Sequence, residues 1–195
     1  RSRLQALAGG AQVGLFCGSG TLANDVVGAV LAADRRLRRG VVLVNGEFGQ
    51  RILHQAERFG LRPEVLRWEW GQPWDLREVE QLLAHQPEID WVWGVHLETS
   101  TGTLNDVPRL LELTRTRQVR VCLDCVSSLG AVPIDLNAVH LAASASGKAL
   151  GSVAGLALVF AGANALQSVA PERLPTYLDL PAVLGATLAA ALLLA

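Results

Sequence analysis

Short apolar strands alternate with amphipathic helical segments along most of the chain. The pattern predicts strands at residues 13–16, 41–45, 64–68, 91–96, 119–124, 140–146 and 155–161. It predicts helices between them at residues 21–34, 49–60, 75–86 and 107–117, with Asp75 and Asp106 as N-caps. Continuous apolar strands separated by such helices are typical of a parallel sheet covered on both faces. We therefore expect an α/β fold, a three-layer α/β/α sandwich around a mainly parallel mixed sheet.

Composition restricts the classes of function. The 195 residues are 50% hydrophobic and 18% charged, with a net charge of −1, so no broad basic surface for nucleic acid is expected. The three cysteines have no regular spacing, which favours a reducing, cytoplasmic location over a disulfide scaffold. The apolar stretch 182–195 has 14 residues, whereas a bilayer-spanning helix needs roughly 20. We expect this stretch to be a core or interface helix, and we expect no membrane partner.

Polar and glycine-rich segments follow the predicted strands, where ligands bind in open α/β sheets. The segment CGSGTLAN (17–24) lies between a strand and a helix. Backbone N–H groups and the helix dipole at such a turn bind phosphate. The turn also fits the G-x-G-x-x-A pattern of dinucleotide sites. Such sites need an acid at the end of the second strand, and Asn45 stands there, so a dinucleotide is disfavoured.

A zinc deaminase is the second alternative, because His96 and Glu98 form an H-x-E pair ahead of Cys122 and Cys125. The family's proline is replaced by Val121. Residues three apart on a strand point to opposite faces, so the two thiols would not share one zinc ion. We therefore expect buried structural cysteines and no metal site.

Lys148 and Asp124 suggest a third chemistry. Lys148 lies in the neutral small-residue segment 142–152, where it is either a surface-loop lysine or a lysine that forms a Schiff base. Asp124 ends a predicted strand, and a buried aspartate needs a cationic partner such as a protonated pyridine. A phosphate-binding turn, an amine for an aldehyde and an acid for a ring nitrogen together indicate pyridoxal 5′-phosphate.

The chain resembles the class V aminotransferases of pyridoxal-phosphate fold type I. The matching blocks are GSGTLAND, VNGEFGQR, HLETSTGTLND, LDCVSSLGAVPIDL and SASGKALGSVAGLALVF, in the family's order across roughly residues 10–162. The likeness is greatest to the alanine–glyoxylate, serine–glyoxylate and 2-aminoethylphosphonate–pyruvate aminotransferases.

The resemblance implies two catalytic residues, Lys148 and Asp124. Lys148 would hold the cofactor as an internal aldimine and then carry the proton between substrate and cofactor. Asp124 would pair with the pyridinium nitrogen. Gly147 departs from the pattern, since several relatives have Gln there and so possess one more phosphate ligand.

The resemblance also implies a set of cofactor contacts. Val126 and Phe48 would pack on the two ring faces, and Thr99 would bond near the ring's 3-hydroxyl. The phosphate contacts would come from Ser19, Gly20, Thr21 and Ser146.

The implied activity moves an amino group from a small amino acid to a 2-oxo acid such as glyoxylate or pyruvate, by ping-pong chemistry through the Lys148 aldimine. Two alternatives stay open. One is another class V enzyme of the desulfurase or lyase type, although desulfurases typically carry His where Gly147 stands. The other is a truncated, non-catalytic copy that binds cofactor.

Relatives of this family are longer, so we expect residues 1–170 to be the cofactor-binding large domain without its N-terminal arm. Residues 171–195 would form a boundary segment leading toward an absent small domain, which in the family carries the substrate-clamping arginine. The resemblance implies a homodimer. We expect His96 to be structural, and the sequence assigns no role to Glu98.

Overall fold

A computed structural model describes residues 2–185. The strands are β1 (Gln12–Cys17), β2 (Gly40–Val44), β3 (Glu64–Arg67), β4 (Trp91–Val95), β5 (Leu97–Glu98), β6 (Thr103–Leu104), β7 (Arg120–Asp124), β8 (Leu141–Ala145) and β9 (Leu156–Ala161). The helices are α1 (Ser2–Leu7), α2 (Gly20–Ala33), α3 (Glu47–Arg58), α4 (Leu76–His85) and α5 (Val107–Arg115). Every strand and helix predicted between residues 13 and 161 is confirmed, with ends that differ by at most two residues. The β5–β6 hairpin was not predicted, because two-residue strands leave no periodicity in a sequence.

One sheet of seven strands runs through the fold, in the order β1-β9-β8-β7-β4-β2-β3. β9 is antiparallel to both of its neighbours, and the other six strands share one direction. The expected mainly parallel mixed sheet is therefore confirmed. The carboxyl ends of six strands and the start of β9 lie at the same edge.

Helices cover both faces of the sheet, which confirms the three-layer sandwich. α2 and α3 pack on one face with the side chains of Val42 and Trp93, and α4 and α5 pack on the other with Val41 and Leu43. Neighbouring β2 residues enter opposite clusters because strand side chains alternate.

The two cysteines of the C-x-x-C pattern lie in different core clusters. Cys122 packs with the α2 and α3 side, whereas Cys125 packs with the α4 and α5 side. Burial raises the pKa of both thiols. This separation agrees with the strand geometry that disfavoured a shared zinc ion.

The predicted N-caps are confirmed. The carboxylate of Asp75 accepts from the Arg77 N–H, and that of Asp106 accepts from the Arg109 N–H. These bonds satisfy backbone donors that a helix start leaves unpaired.

α3 ends two residues earlier than predicted. The N–H of Leu61 donates to the Ala56 carbonyl and that of Gly60 to the Glu57 carbonyl, with Gly60 at a φ of 77°. This Schellman pair places glycine just after the helix rather than within its last turn.

Among residues 2–185, no helix is long and apolar enough to cross a membrane. Most of the apolar stretch 182–195 lies outside the described residues. Leu180 and Leu184, near its start, pack into the core beside α2. The segment 171–181 forms two short 3-10 turns, and the Tyr177 hydroxyl donates to the Cys17 carbonyl at 2.9 Å.

Candidate functional site

A cavity of about 990 Å³ opens at the edge of the sheet where the parallel strands end. It lies between the starts of α2 and α3, the end of β7 and the β8–β9 loop. Seven of the nine site residues predicted from the sequence line it: Ser19, Gly20, Thr21, Phe48, Asp124, Val126 and Lys148. Residues separated by more than 120 positions are thus brought to one place because their strands end together.

Thr99 and Ser146 lie beside the cavity lining. The hydroxyl of Ser146 donates to the Val153 carbonyl at 2.7 Å and accepts from the Leu156 N–H at 3.2 Å. Its bonds therefore hold the β8–β9 loop. The hydroxyl of Thr99 lies 3.4 Å from that of Ser127, which does line the cavity.

The glycine-rich turn begins α2 at the cavity wall. Ser19 is the N-cap residue and its side chain makes no capping bond, so the first N–H groups of the helix remain available to an anion. A Cβ on Gly20 would lie 2.6 Å from Val126 Cγ2. Glycine is therefore required for the turn to approach Val126 this closely. The N–H of Gly18 donates to the Gly155 carbonyl, which joins this turn to the β8–β9 loop.

Asp124 is a buried acid whose carboxylate is fixed by two donors. The Val126 N–H reaches Oδ1 at 2.9 Å, and the Asn24 amide reaches Oδ2 at 2.7 Å. Burial raises the pKa of Asp124, while these bonds and the charge of Lys148 lower it. The net direction is upward because burial outweighs the two bonds and the charge of Lys148.

Asn24 was missed by the sequence analysis. It lies on α2 among buried apolar residues, and its Oδ1 has no partner in the described part of the chain. A polar residue within an otherwise apolar helix face is the signal that could have found it.

Lys148 is the only lysine in the sequence. It lies on the loop 146–155, which joins the antiparallel strands β8 and β9, and its exposed side chain borders the cavity. A Cβ on its neighbour Gly147 would lie 2.6 Å from Ala154 Cβ, so this position has no room for a larger residue as the loop stands.

Glu98, which the sequence left without a role, caps α3. The side chain is fully buried, and Oε2 accepts from the N–H groups of Phe48 and Gly49 at 3.1 and 3.0 Å. Its Oε1 accepts from the N–H and hydroxyl of Ser100. Glu98 thereby holds Phe48 in place at the cavity wall.

Basic residues on α3 also line the cavity and were not predicted. They are Arg51, His54 and Arg58, and Gln55 lies among them. Gln55 donates to the Thr21 carbonyl at 3.0 Å, which fastens α3 to the glycine-rich turn. Their spacing of three and four residues on an amphipathic helix was the available signal.

Two other sequence candidates bond elsewhere. His96 is buried, its Nδ1 lies 3.0 Å from the Ser128 hydroxyl, and burial lowers its pKa. The Asn45 amide donates to the Gln72 carbonyl and to Asn105 Oδ1. Neither residue lines the cavity.

In a comparison with protein families, the sequence model of the class V aminotransferases matches residues 4–177 of this chain. A 2-aminoethylphosphonate–pyruvate transaminase from Pseudomonas putida KT2440 is 36% identical over 152 residues, which are 76% of this chain and 40% of that protein. The chain thus spans about 40% of the length of the curated relatives it matches.

Solved structures show the same architecture. An alanine–glyoxylate aminotransferase from Nostoc sp. has a TM-score of 0.81 at 28% identity, covering 93% of this chain and 49% of that one. An aspartate aminotransferase from Thermus thermophilus has a TM-score of 0.81 at 32% identity, covering 93% and 51%.

Proposed function

Because the chain belongs to the class V aminotransferase family, we propose that it binds pyridoxal 5′-phosphate in this cavity as part of an aminotransferase. The proposed reaction moves an amino group from a small amino acid or aminophosphonate to pyruvate or glyoxylate. The names of the relatives support this choice of substrates. The observation that carries the proposal is one cavity bordered by Lys148, the buried carboxyl of Asp124 and the open start of α2.

The residues fit this cofactor. A carboxyl that is buried and has a raised pKa is stabilised by an N–H⁺ partner, and a protonated pyridine nitrogen is such a group. The first N–H groups of α2 offer donors to a phosphate, and Gly20 keeps the turn free of a Cβ that would meet Val126. A cavity of about 990 Å³ has room for the cofactor and a small substrate.

When bound, pyridoxal phosphate supplies the aldehyde and the electron sink for amino transfer. The chain supplies the remaining groups. Lys148 offers the amine that captures the aldehyde and then accepts or donates a proton at Nζ. Asp124 keeps the ring nitrogen protonated, and Asn24 fixes the orientation of its carboxylate. Phe48 and Val126 provide apolar surface for the ring.

Covalent trapping tests the proposal. The chain is incubated with pyridoxal phosphate, reduced with borohydride, digested and analysed by mass spectrometry. We expect one reduced adduct, on Lys148, and its loss in Lys148→Arg. The assay is specific because Lys148 is the only lysine, which leaves the terminal amine as the other primary amine.

A matched control comes from Arg77→Lys, which places a second lysine on the exposed side of α4, away from the cavity. At one equivalent of cofactor the introduced lysine should stay unmodified. Equal labelling of Lys148, the introduced lysine and the terminal amine would contradict a built site. Amino transfer from 2-aminoethylphosphonate or alanine to pyruvate or glyoxylate is then measured by chromatography of the amino products.

Three further expectations belong to the same proposal. Residues 1–170 form the cofactor-binding large domain and 171–195 a boundary segment, the assembled protein is a homodimer, and it acts in the cytoplasm. Sedimentation of the protein with and without cofactor tests the dimer, and a monomer under both conditions would contradict it.

A further inference from the structure

Three basic side chains form a row along the cavity side of α3. Arg51, His54 and Arg58 all line the cavity, at spacings of three and four residues. Since an α-helix has 3.6 residues per turn and rises 1.5 Å per residue, the row follows one side of the helix for about 10 Å. We call these three residues the basic row.

The charge of the row is only partly neutralised. Arg51 pairs with Glu47 at 2.8 Å and lies over the Phe48 ring, 5.0 Å from its centroid. Arg58 has no ion-pair partner among residues 2–185. The one acid in the cavity lining is Asp124, which is buried and already held by two donors. The cavity as described therefore favours anions.

The row lies beside the glycine-rich turn. The side-chain amide of Gln55, within the row, donates to the Thr21 carbonyl at 3.0 Å and to Asp25 Oδ1 at 2.7 Å. The helix start of α2 and the row thus border the same part of the cavity. On the β8–β9 loop, the hydroxyl of Ser146 is occupied and Gly147 has no side chain, so Lys148 is the one side chain among these three that this loop offers to an anion.

We propose that the basic row is an anion subsite that binds a phosphate or phosphonate dianion, in addition to the N–H groups of α2. The inference rests on the proposed function, because the dianion is either the phosphate of the cofactor or the phosphonate of the amino donor. Arginine suits such a group, since its fork of N–H donors matches two phosphate oxygens.

Equilibrium binding tests the subsite and distinguishes its two sources. In the first arm, pyridoxal phosphate and pyridoxal are titrated into wild type, Arg58→Gln and Arg51→Gln. If the row binds the cofactor phosphate, Arg58→Gln weakens binding of pyridoxal phosphate about tenfold and leaves pyridoxal unchanged. In the second arm, methylphosphonate is titrated calorimetrically into cofactor-loaded protein. If the row binds the phosphonate of the amino donor, Arg58→Gln lowers the affinity for methylphosphonate instead.

Two control variants keep the test specific. Arg77→Gln makes the same charge change on α4, outside the cavity, and should alter neither affinity. Arg58→Lys keeps the charge and should restore most of the affinity lost in Arg58→Gln. Higher salt should reduce the difference in affinity between wild type and Arg58→Gln, because Arg51 and Arg58 are exposed and their charges are screened.

The inference is overturned if both arms give Arg58→Gln and Arg51→Gln the same affinities as Arg77→Gln. It is also overturned if the variants bind pyridoxal and pyridoxal phosphate more weakly by the same factor, since that result indicates altered structure rather than loss of an anion contact. Failure of the proposed function is separate, because it would appear as the absence of a borohydride-reduced adduct on Lys148 in wild type. An adduct together with unchanged affinities removes only the subsite.

Discussion

At the residue scale, one buried carboxyl should make the stability of the chain depend on pH. Burial raises the pKa of Asp124, and the Val126 and Asn24 bonds counter this only in part. The protonated carboxyl therefore contributes stability below about pH 4, the ordinary range of an aspartate. That contribution is lost as the pH rises through the raised pKa. In the cofactor-free chain, Asp124 should therefore lower the free energy of unfolding at neutral pH relative to its value at acid pH.

Asp124→Asn should stabilise the cofactor-free chain. The amide carries no charge to desolvate, and Asn24 can rotate so that its unpartnered Oδ1 accepts from the new amide. We expect the free energy of unfolding at pH 7 to rise by about 1–2 kcal/mol, the scale of a partly compensated buried charge. Urea denaturation from pH 4 to pH 8 measures this.

The stability gain should shrink as the pH falls toward and below about 4, because the wild-type carboxyl is then increasingly protonated in the unfolded state as well as in the folded state. The same variant should bind pyridoxal phosphate more weakly. A gain that is independent of pH would show that the charge of Asp124 is not its cause.

At the scale of the element, α3 depends on an acid from another part of the chain. Glu98→Gln replaces one of the two accepting oxygens by an amide group that faces donors. We expect the free energy of unfolding to fall by about 2 kcal/mol, because charge-assisted bonds from the N–H groups of Phe48 and Gly49 and from the Ser100 hydroxyl are weakened. Hydrogen exchange at Phe48 and Gly49 should accelerate more than exchange in the middle of α3.

Glu80→Gln on the exposed surface of α4 is the matched control and should change neither stability nor exchange by a measurable amount. If exchange at Phe48 is unchanged in Glu98→Gln, another group fixes the start of α3.

β2 and β4 pack so closely that one position requires glycine. Gly40 lies opposite Trp91 in the parallel register, and a Cβ there would overlap the indole ring. We expect Gly40→Ala to cost about 2–3 kcal/mol by overpacking. Adding Trp91→Leu should recover part of this loss, so the two changes should be non-additive in urea denaturation. Additive losses would mean that the strands adjust without meeting the ring.

At the scale of the whole molecule, the reactivity of the three thiols reports on unfolding. Cys17 is exposed, whereas Cys122 and Cys125 are buried with raised pKa values. One thiol should therefore react quickly with Ellman's reagent in the folded protein at pH 8, and three should react in urea. Fast reaction of a second thiol without urea would show that β7 or the segment directly after it opens locally. Cys17→Ser should abolish the fast phase and leave the slow one.

The layers could be predicted from the sequence because they follow from periodicity, and the polar segments that meet at the cavity could be predicted because they follow strand ends. It missed the bonds of Asn24 and Glu98 because their partners are remote in sequence, whereas the basic row was missed although its helical spacing was a local signal. Asn24 and Asp124 are 100 positions apart, and Glu98 meets Phe48 across 50. The resemblance implied Ser146 as a phosphate contact, and in the structure its hydroxyl bonds within its own loop. The pairings of Asn24 with Asp124 and of Glu98 with Phe48 arise from tertiary packing, which no local pattern encodes.

The insertion of β9 between β8 and β1 has a consequence for the order of assembly during synthesis. β1 is among the first strands to leave the ribosome, yet its sheet partner, residues 156–161, is the last strand of the sheet to emerge. The turn at Gly18 is tied to Gly155 in the same way. In a nascent chain that ends before about residue 161, β1 therefore lacks the strand with which it pairs. A pairing this remote in sequence forms slowly. The edge of the sheet that borders the cavity should therefore be completed only after residue 161 has emerged, so the proposed binding of pyridoxal phosphate should require a chain at least that long.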